Sequence, residues 1–209
     1  MRSHDDYQHQ PYAIGEEAVR CLTHQECERW CLERGYPVSR SPHSGRPEPD
    51  VRRRFKRIDL AYPADSGRKV TLARNVLTCL QKRDEVLLWM DDWAVWPSSQ
   101  HMPLFTRFRE ALGERRRLIE APGHALLVHE FDDALSVLAV ALLFIWDCHV
   151  FSGVGRPVFF CSHDETASLL VPRGETCEQE LDAMAAWIAR PQAGGVRRPR
   201  SADHRRRRS

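Results

Sequence analysis

The apolar positions change period several times along the chain, and each change marks an element. Thr23-His24-Gln25-Glu26 is a capping box, in which the threonine hydroxyl accepts from the backbone N–H three residues on while Glu26 reaches back. It predicts a helix with Cys27, Trp30 and Cys31 on its apolar face, ended by Gly35 in the left-handed conformation. Phe55, Ile58, Leu60 and Tyr62 alternate imperfectly and predict a strand closed by Pro63. Asp65-Ser66-Gly67 then turns the chain into a helix whose buried face is Val70, Ala73, Val76, Leu77 and Leu80. Residues 85–90 form a near-continuous apolar run, the pattern of a strand covered on both faces. Pro103 suits the first turn of a further helix, which runs on Leu104, Phe105, Phe108, Ala111 and Leu112 toward Gly113.

Glu130, Asp132 and Asp133 open a long apolar helix predicted over residues 131–150, where their charge complements the helix dipole. Its uncharged stretch, residues 134–146, is thirteen residues long. A bilayer span needs about 20, so a buried helix is expected, with Asp147 and His149 following it at once. Residues 158–161 return the chain to a strand, and Ser162-His163-Asp164-Glu165 has the pattern of a cap heading a short helix through Leu170. A second capping box, Thr176-Cys177-Glu178-Gln179, heads a last helix ending near Arg190. Residues 39–50, rich in Pro, Ser and Gly, predict a loop, and a fourth strand falls at Leu118-Ile119 or within 125–128. Strands alternating with helices predict an α/β domain over residues 21–190, with a three- to four-stranded, mainly parallel sheet flanked by helices. A flexible arm over 1–20 and a disordered Arg-rich tail over 191–209 complete the expected organisation.

Composition changes this picture at the C-terminal end. The formal charge of +2 conceals an asymmetry: residues 190–209 hold eight of the 31 basic residues and one of the 29 acidic ones. That segment carries +7, while the 23 basic and 28 acidic residues before it leave −5. Seven cysteines form an odd set without framework spacing, which predicts reduced thiols in a cytoplasmic protein. The opening MRSHDDYQHQ lacks the architecture of an export signal.

Candidate chemistry centres on LLWMDDWAVWPSSQ, which sets Trp89, Trp93 and Trp96 around Asp91 and Asp92. In a parallel sheet, ligands bind beyond the carboxyl ends of the strands, so Asp65, Asp91, Asp92, His163, Asp164 and Glu165 would share one rim. Oxygen donors with one imidazole suit Mg²⁺ or Mn²⁺, with Asp92, His163 and Asp164 as ligands. Asp91, Asp92, His163, Asp164 and Glu165 would then be the candidate catalytic set of a divalent-metal hydrolase or phosphotransferase. The competing expectation makes the same residues caps and turns. His124, followed by His129-Glu130, lacks the His-Glu-x-x-His spacing and would need a partner such as His163 to hold zinc. Cys21, His24, Cys27 and Cys31 form a knuckle without the distant second pair of a structural zinc site. Asp65-Ser66-Gly67-Arg68-Lys69 lies where a phosphate loop would but lacks its glycine spacing, which makes it a plain helix start.

Basic runs occur at residues 52–57 and at Arg205, Arg206, Arg207 and Arg208, where nonspecific, salt-sensitive contact with nucleic acid is the expected chemistry. The segments EVLLWMDDWAVWPSS, LFTRFREALGE, EAPGH and FCSHDE resemble stretches of a bacterial protein family with no assigned function, across residues 24–172. The resemblance implies no activity. No specific catalytic motif is present, and aromatic residues are enriched where proteins meet. The sequence therefore predicts a noncatalytic protein-binding module of adaptor, immunity or regulatory type, acting through Trp93, Trp96 and His124 without a cofactor.

Overall fold

The computed structural model describes residues 19–42, 44–50, 55–80, 85–94, 97–154, 156–172 and 178–190, with side chains of the last segment from residue 182. Residues 1–18 of the expected arm, the arginines at 52–54, Trp96, the Thr176-Cys177 cap and the tail with Arg205, Arg206, Arg207 and Arg208 lie outside the described residues. The element order is β1 (Arg20–Leu22), α1 (His24–Glu33), β2 (Val38–Arg40), β3 (Pro47–Pro49), β4 (Phe55–Leu60), α2 (Ser66–Leu80) and β5 (Val86–Met90). It continues with α3 (Met102–Ala111), β6 (Gly123–Leu126), α4 (Phe131–Phe144), β7 (Cys148–Phe151), β8 (Val158–Ser162), β9 (Thr166–Pro172) and α5 (Glu178–Ile188).

The expected small parallel sheet is corrected to a seven-stranded sheet in the order β1-β6-β5-β7-β8-β9-β4, in which every neighbouring pair is antiparallel. Three strands of this sheet are absent from the expected pattern: β1, whose Arg20 belongs to the expected flexible arm, and two others, which overturn the parallel reading. The helix expected to reach residue 150 ends at Phe144, because Ile145 turns left-handed at φ 58° and ψ 57°. Residues 148–151 thereby become β7, inserted between β5 and β8. Likewise Ser162-His163-Asp164-Glu165 heads no helix: Glu165 takes φ 55° in a tight hairpin that pairs Ser162 with Thr166, and β9 follows. Residues 39–50, expected as a loop, contain the two-stranded ribbon β2–β3. The fourth strand is β6, which overlaps the second of the two expected positions at Ala125 and Leu126 and begins two residues earlier.

One consequence of the parallel reading survives for a different reason. β5 and β8 are each antiparallel to the single strand between them, β7, and β8 and β4 are each antiparallel to β9. β4, β5 and β8 therefore point the same way without being neighbours, and their carboxyl ends reach one edge of the sheet.

The alternation of side chains sends Leu88, Met90, Val150, Cys148, Phe159 and Cys161 to one face, beneath α2, α3, α4 and α5, where the larger core lies. Leu87, Trp89, Phe151, Val158 and Leu170 face the other way and pack with Cys27, Trp30 and Cys31 of α1 and with Tyr36 and Phe55. The α1 capping box is formed as the sequence predicts, with Thr23 N donating to Glu26 Oε2 at 2.7 Å and Glu26 N to Thr23 Oγ1 at 3.3 Å. α1 and the ribbon cover only part of this second face. A concavity remains over β7, β8, β9 and β4. Among the described residues, no helix is long and apolar enough to cross a membrane.

Candidate functional site

That concavity has a volume of about 690 Å³. Its floor is His149, Phe160 and Ser168, with Leu170, Phe55 and Arg57 beside them. The register places His149 opposite Phe160 and Phe160 opposite Ser168, so all three project from the same face of three successive strands. Ser39, Glu48, Pro49 and Asp50 of the ribbon form one wall, and Asp91 and Asp147 close the end nearest the sheet edge. The His149 ring stacks on Phe160 at 4.4 Å between centroids. Ser168 is fully buried, and its Oγ has no hydrogen-bond partner.

Among the described residues, the lining carries four carboxylates, on Glu48, Asp50, Asp91 and Asp147, and one guanidinium, on Arg57; Arg52, Arg53 and Arg54, between Asp50 and Phe55, lie outside the described residues. Arg57 is itself paired with Asp59 at 2.6 Å. Such a concave, partly apolar wall with one prevailing sign of charge focuses its field and favours a cationic guest.

Asp147 is the residue that sequence reasoning missed. The β5–β7 ladder continues past both strands: Asp91 N donates to the Asp147 carbonyl at 2.9 Å, and Asp147 N donates to the Asp92 carbonyl at 2.8 Å. Asp147 Oδ1 accepts from His163 N at 2.6 Å and lies 2.7 Å from His163 Nδ1. Asp147 thus ties the end of β5 to the β8–β9 turn and joins Asp91, Asp92 and His163 in one connected edge. Its signal in the sequence was an acid placed directly after an apolar run, at the point where the chain had to leave a helix.

The other expected site residues separate. Asp91 faces the concavity, whereas Asp92 Oδ1 accepts from Ala94 N at 2.9 Å and braces its own loop. Asp164 is exposed, its Oδ1 3.7 Å from His163 Nε2, and Glu165 serves the hairpin turn. Asp65 Oδ1 accepts from Arg68 N at 2.9 Å and caps α2, away from the edge cluster. Trp93 is half-buried and packs on the larger core, and Trp89 is fully buried on the opposite face. His124 is buried between β6 and α3, 5.9 Å from the Phe105 ring. Burial, reinforced by the nearby Arg109 charge, lowers its pKa to about 3, so it stays neutral in the interior.

Among the described residues, no group of three or more His, Cys, Asp or Glu side chains is gathered to hold a metal ion. The Cys27 and Cys31 thiols belong to the core beneath α1, and burial raises both pKa values, that of Cys31 to about 12.

Burial lowers the His163 pKa, but the Asp147 carboxylate outweighs it, aided by Asp164 and Asp92, and the net direction is up from 6.5. Burial raises Asp147, and the two His163 donors only partly reverse that. The raised His163 value means that the folded state holds that proton more tightly than the unfolded one, so its contribution is full below pH 6.5 and fades as pH rises through the elevated value, while the raised Asp147 value acts in the same direction in a lower window that opens at 3.8. His163→Gln is expected to cost about 1–2 kcal/mol near pH 5.5 and clearly less at pH 8.5. Urea midpoints of the two proteins at both pH values check this, and a penalty that grows with pH would contradict the assignment.

Comparison of the chain with family models, with curated proteins and with solved structures returned no significant match. The functional reading therefore rests on the geometry of this chain alone.

Proposed function

We propose that the protein is a noncatalytic binding module of adaptor, immunity or regulatory type, and that it receives basic side chains of another protein in the concavity between the β2–β3 ribbon and the sheet. The carrying observation is the lining among the described residues: four carboxylates and five apolar or aromatic side chains, Pro49, Phe55, His149, Phe160 and Leu170, with one arginine that is paired to Asp59. A guanidinium suits this wall because its flat face stacks on an aromatic ring while its edge donates to carboxylates. Recognition is placed on the face of the sheet opposite Trp93, which is half-buried against the core, while Trp96 lies outside the described residues.

The test is titration of the full-length protein with a short labelled arginine–glycine peptide. Binding is expected at low salt, weakening steeply as ionic strength rises. The double variant Glu48→Gln with Asp50→Asn, at two partly exposed ribbon positions, is expected to bind about tenfold more weakly, as the loss of two partly screened charge contacts implies. Equal binding by the double variant would defeat the proposal.

A further inference from the structure

The β2–β3 ribbon, one wall of the concavity, rests on a histidine whose ring has nothing to bond to. His24 is the first residue of α1, and its ring stands edge-on to Trp89 of β5, with 6.3 Å between ring centroids. Both His24 ring nitrogens are closed off from solvent and have no hydrogen-bond partner, and the same holds for Trp89 Nε1. On the ribbon side, the Arg46 guanidinium and the Pro47 backbone come near enough to act on any charge the ring takes.

A neutral imidazole is the form this position accepts. Burial opposes a proton first, the Arg46 charge second, and His24 also sits at the positive end of the α1 dipole. A hydrogen bond to the Pro47 backbone would favour the proton but only partly offsets them, so the direction is down from 6.5. The other charged groups near the ring are engaged elsewhere. Glu26 accepts from Thr23 N at 2.7 Å, Glu28 pairs with Arg40 at 2.9 Å, and Glu48 lines the concavity. His149, opposite Trp89 in the register, belongs to the concavity floor, and His43 lies outside the described residues.

The ribbon itself is lightly held. Its strands are three residues each, Asp50 N donates to the Pro37 carbonyl at its base, and Arg40, 57% exposed, makes a largely screened pair with Glu28. An element fastened by so few buried contacts opens at a lower free energy than the sheet beneath it.

We propose that the β2–β3 ribbon is an acid-released strap: protonation of His24 beneath it frees the ribbon from α1 and opens that wall of the concavity. With the ribbon open, the ring meets water and takes up a proton near pH 6.5, whereas the closed state resists it. Closure is therefore fully favoured above pH 6.5 and weakens as pH falls below that value toward the lowered one of the closed state. The strap acts in this way whichever guest the concavity takes.

The experiment is hydrogen–deuterium exchange of the full-length protein, read by mass spectrometry at pH 7.5 and 5.5 and corrected for the intrinsic rate at each pH. His24→Phe is the companion variant, since phenylalanine keeps a ring against Trp89 and takes no proton. In the unaltered protein, corrected exchange over residues 38–50 is expected to be faster at pH 5.5, by up to about tenfold, while residues 86–90 of β5 stay protected. His24→Phe should show no such difference. Equal protection of residues 38–50 at both pH values, or an acid response that persists in His24→Phe, would overturn the proposal. An NMR titration of the His24 ring in the unaltered protein gives a readout independent of how the variant folds: a pKa below 6.5 is expected, and one at or above it would also overturn the proposal.

Discussion

Gly123→Ala is expected to lower the free energy of unfolding by about 2–3 kcal/mol, through overpacking at a site with no room to relax. Gly123 sits opposite Leu22 of β1 on one side and Trp89 of β5 on the other, facing α1. A methyl group there would overlap Cys27 Sγ and crowd Leu22 Cβ at 3.1 Å and Leu87 Cδ1 at 3.2 Å. All three neighbours are held by the sheet or by the first turns of α1, so none can swing aside. Removing the obstructing sulfur should restore most of the loss: Gly123→Ala combined with Cys27→Ala is expected to be more stable than the single Gly123 variant. The coupling should be about 1–2 kcal/mol in a double-mutant cycle read from urea midpoints. Additive effects of the two changes would show that the Cys27 contact is not what excludes a side chain from position 123.

Glu85→Ala should be comparably costly, about 2–3 kcal/mol, because one carboxylate fastens α1 and β1 to the central strand. Glu85 Oε2 accepts from Trp30 Nε1 at 2.7 Å and from Arg34 Nη2 at 3.2 Å, and Oε1 pairs with Arg20. The side chain is only 12% exposed, while Arg20 at 60% is largely in water and adds little. The Arg34 guanidinium also lies over the Trp30 ring, 4.0 Å from its centroid, so loss of the carboxylate loosens a stacked pair as well as an ion pair. Glu85→Gln keeps an acceptor for the indole and should recover about half of the loss. In a calorimetric scan the alanine variant should melt about 5–10 °C lower, given the usual scaling for chains of this length. If the glutamine variant is as unstable as the alanine one, charge rather than the indole hydrogen bond holds the helix.

What the sequence revealed and what it hid divide along a physical line. α1, α2, α3 and β5 were legible because their signals are local: a capping box, a repeat of 3–4 residues, or an unbroken apolar run. β7 was not, because residues 134–146 stay uncharged through the break, and the break is made by a β-branched residue, Ile145, in a conformation usually left to glycine. β9 was hidden in the same way by Glu165, whose spacing from Ser162 imitates a helix cap. With those two strands missing, parallel pairing was the only arrangement that helix-linked strands could suggest.

Part of the site followed from the ends of β5 and β8, which do meet at one edge, and Asp91 does face the concavity. The rest was out of reach of local reasoning. Glu48 and Asp50 lie in a ribbon of three-residue strands inside a proline-rich stretch, and Ser168 becomes a floor residue only once β9 exists. Asp147 needed two long-range pairings before its role could be seen.

The end strand β4 has a further consequence for the company this molecule can keep. An outermost strand presents unsatisfied backbone donors and acceptors that can template the addition of a foreign strand, the first step toward fibrils. Here Lys56, Arg57 and Asp59 stand exposed along that strand, and a newcomer would have to strip water from all three to align. At the opposite margin β1 is only three residues long, too short a ledge to seed growth.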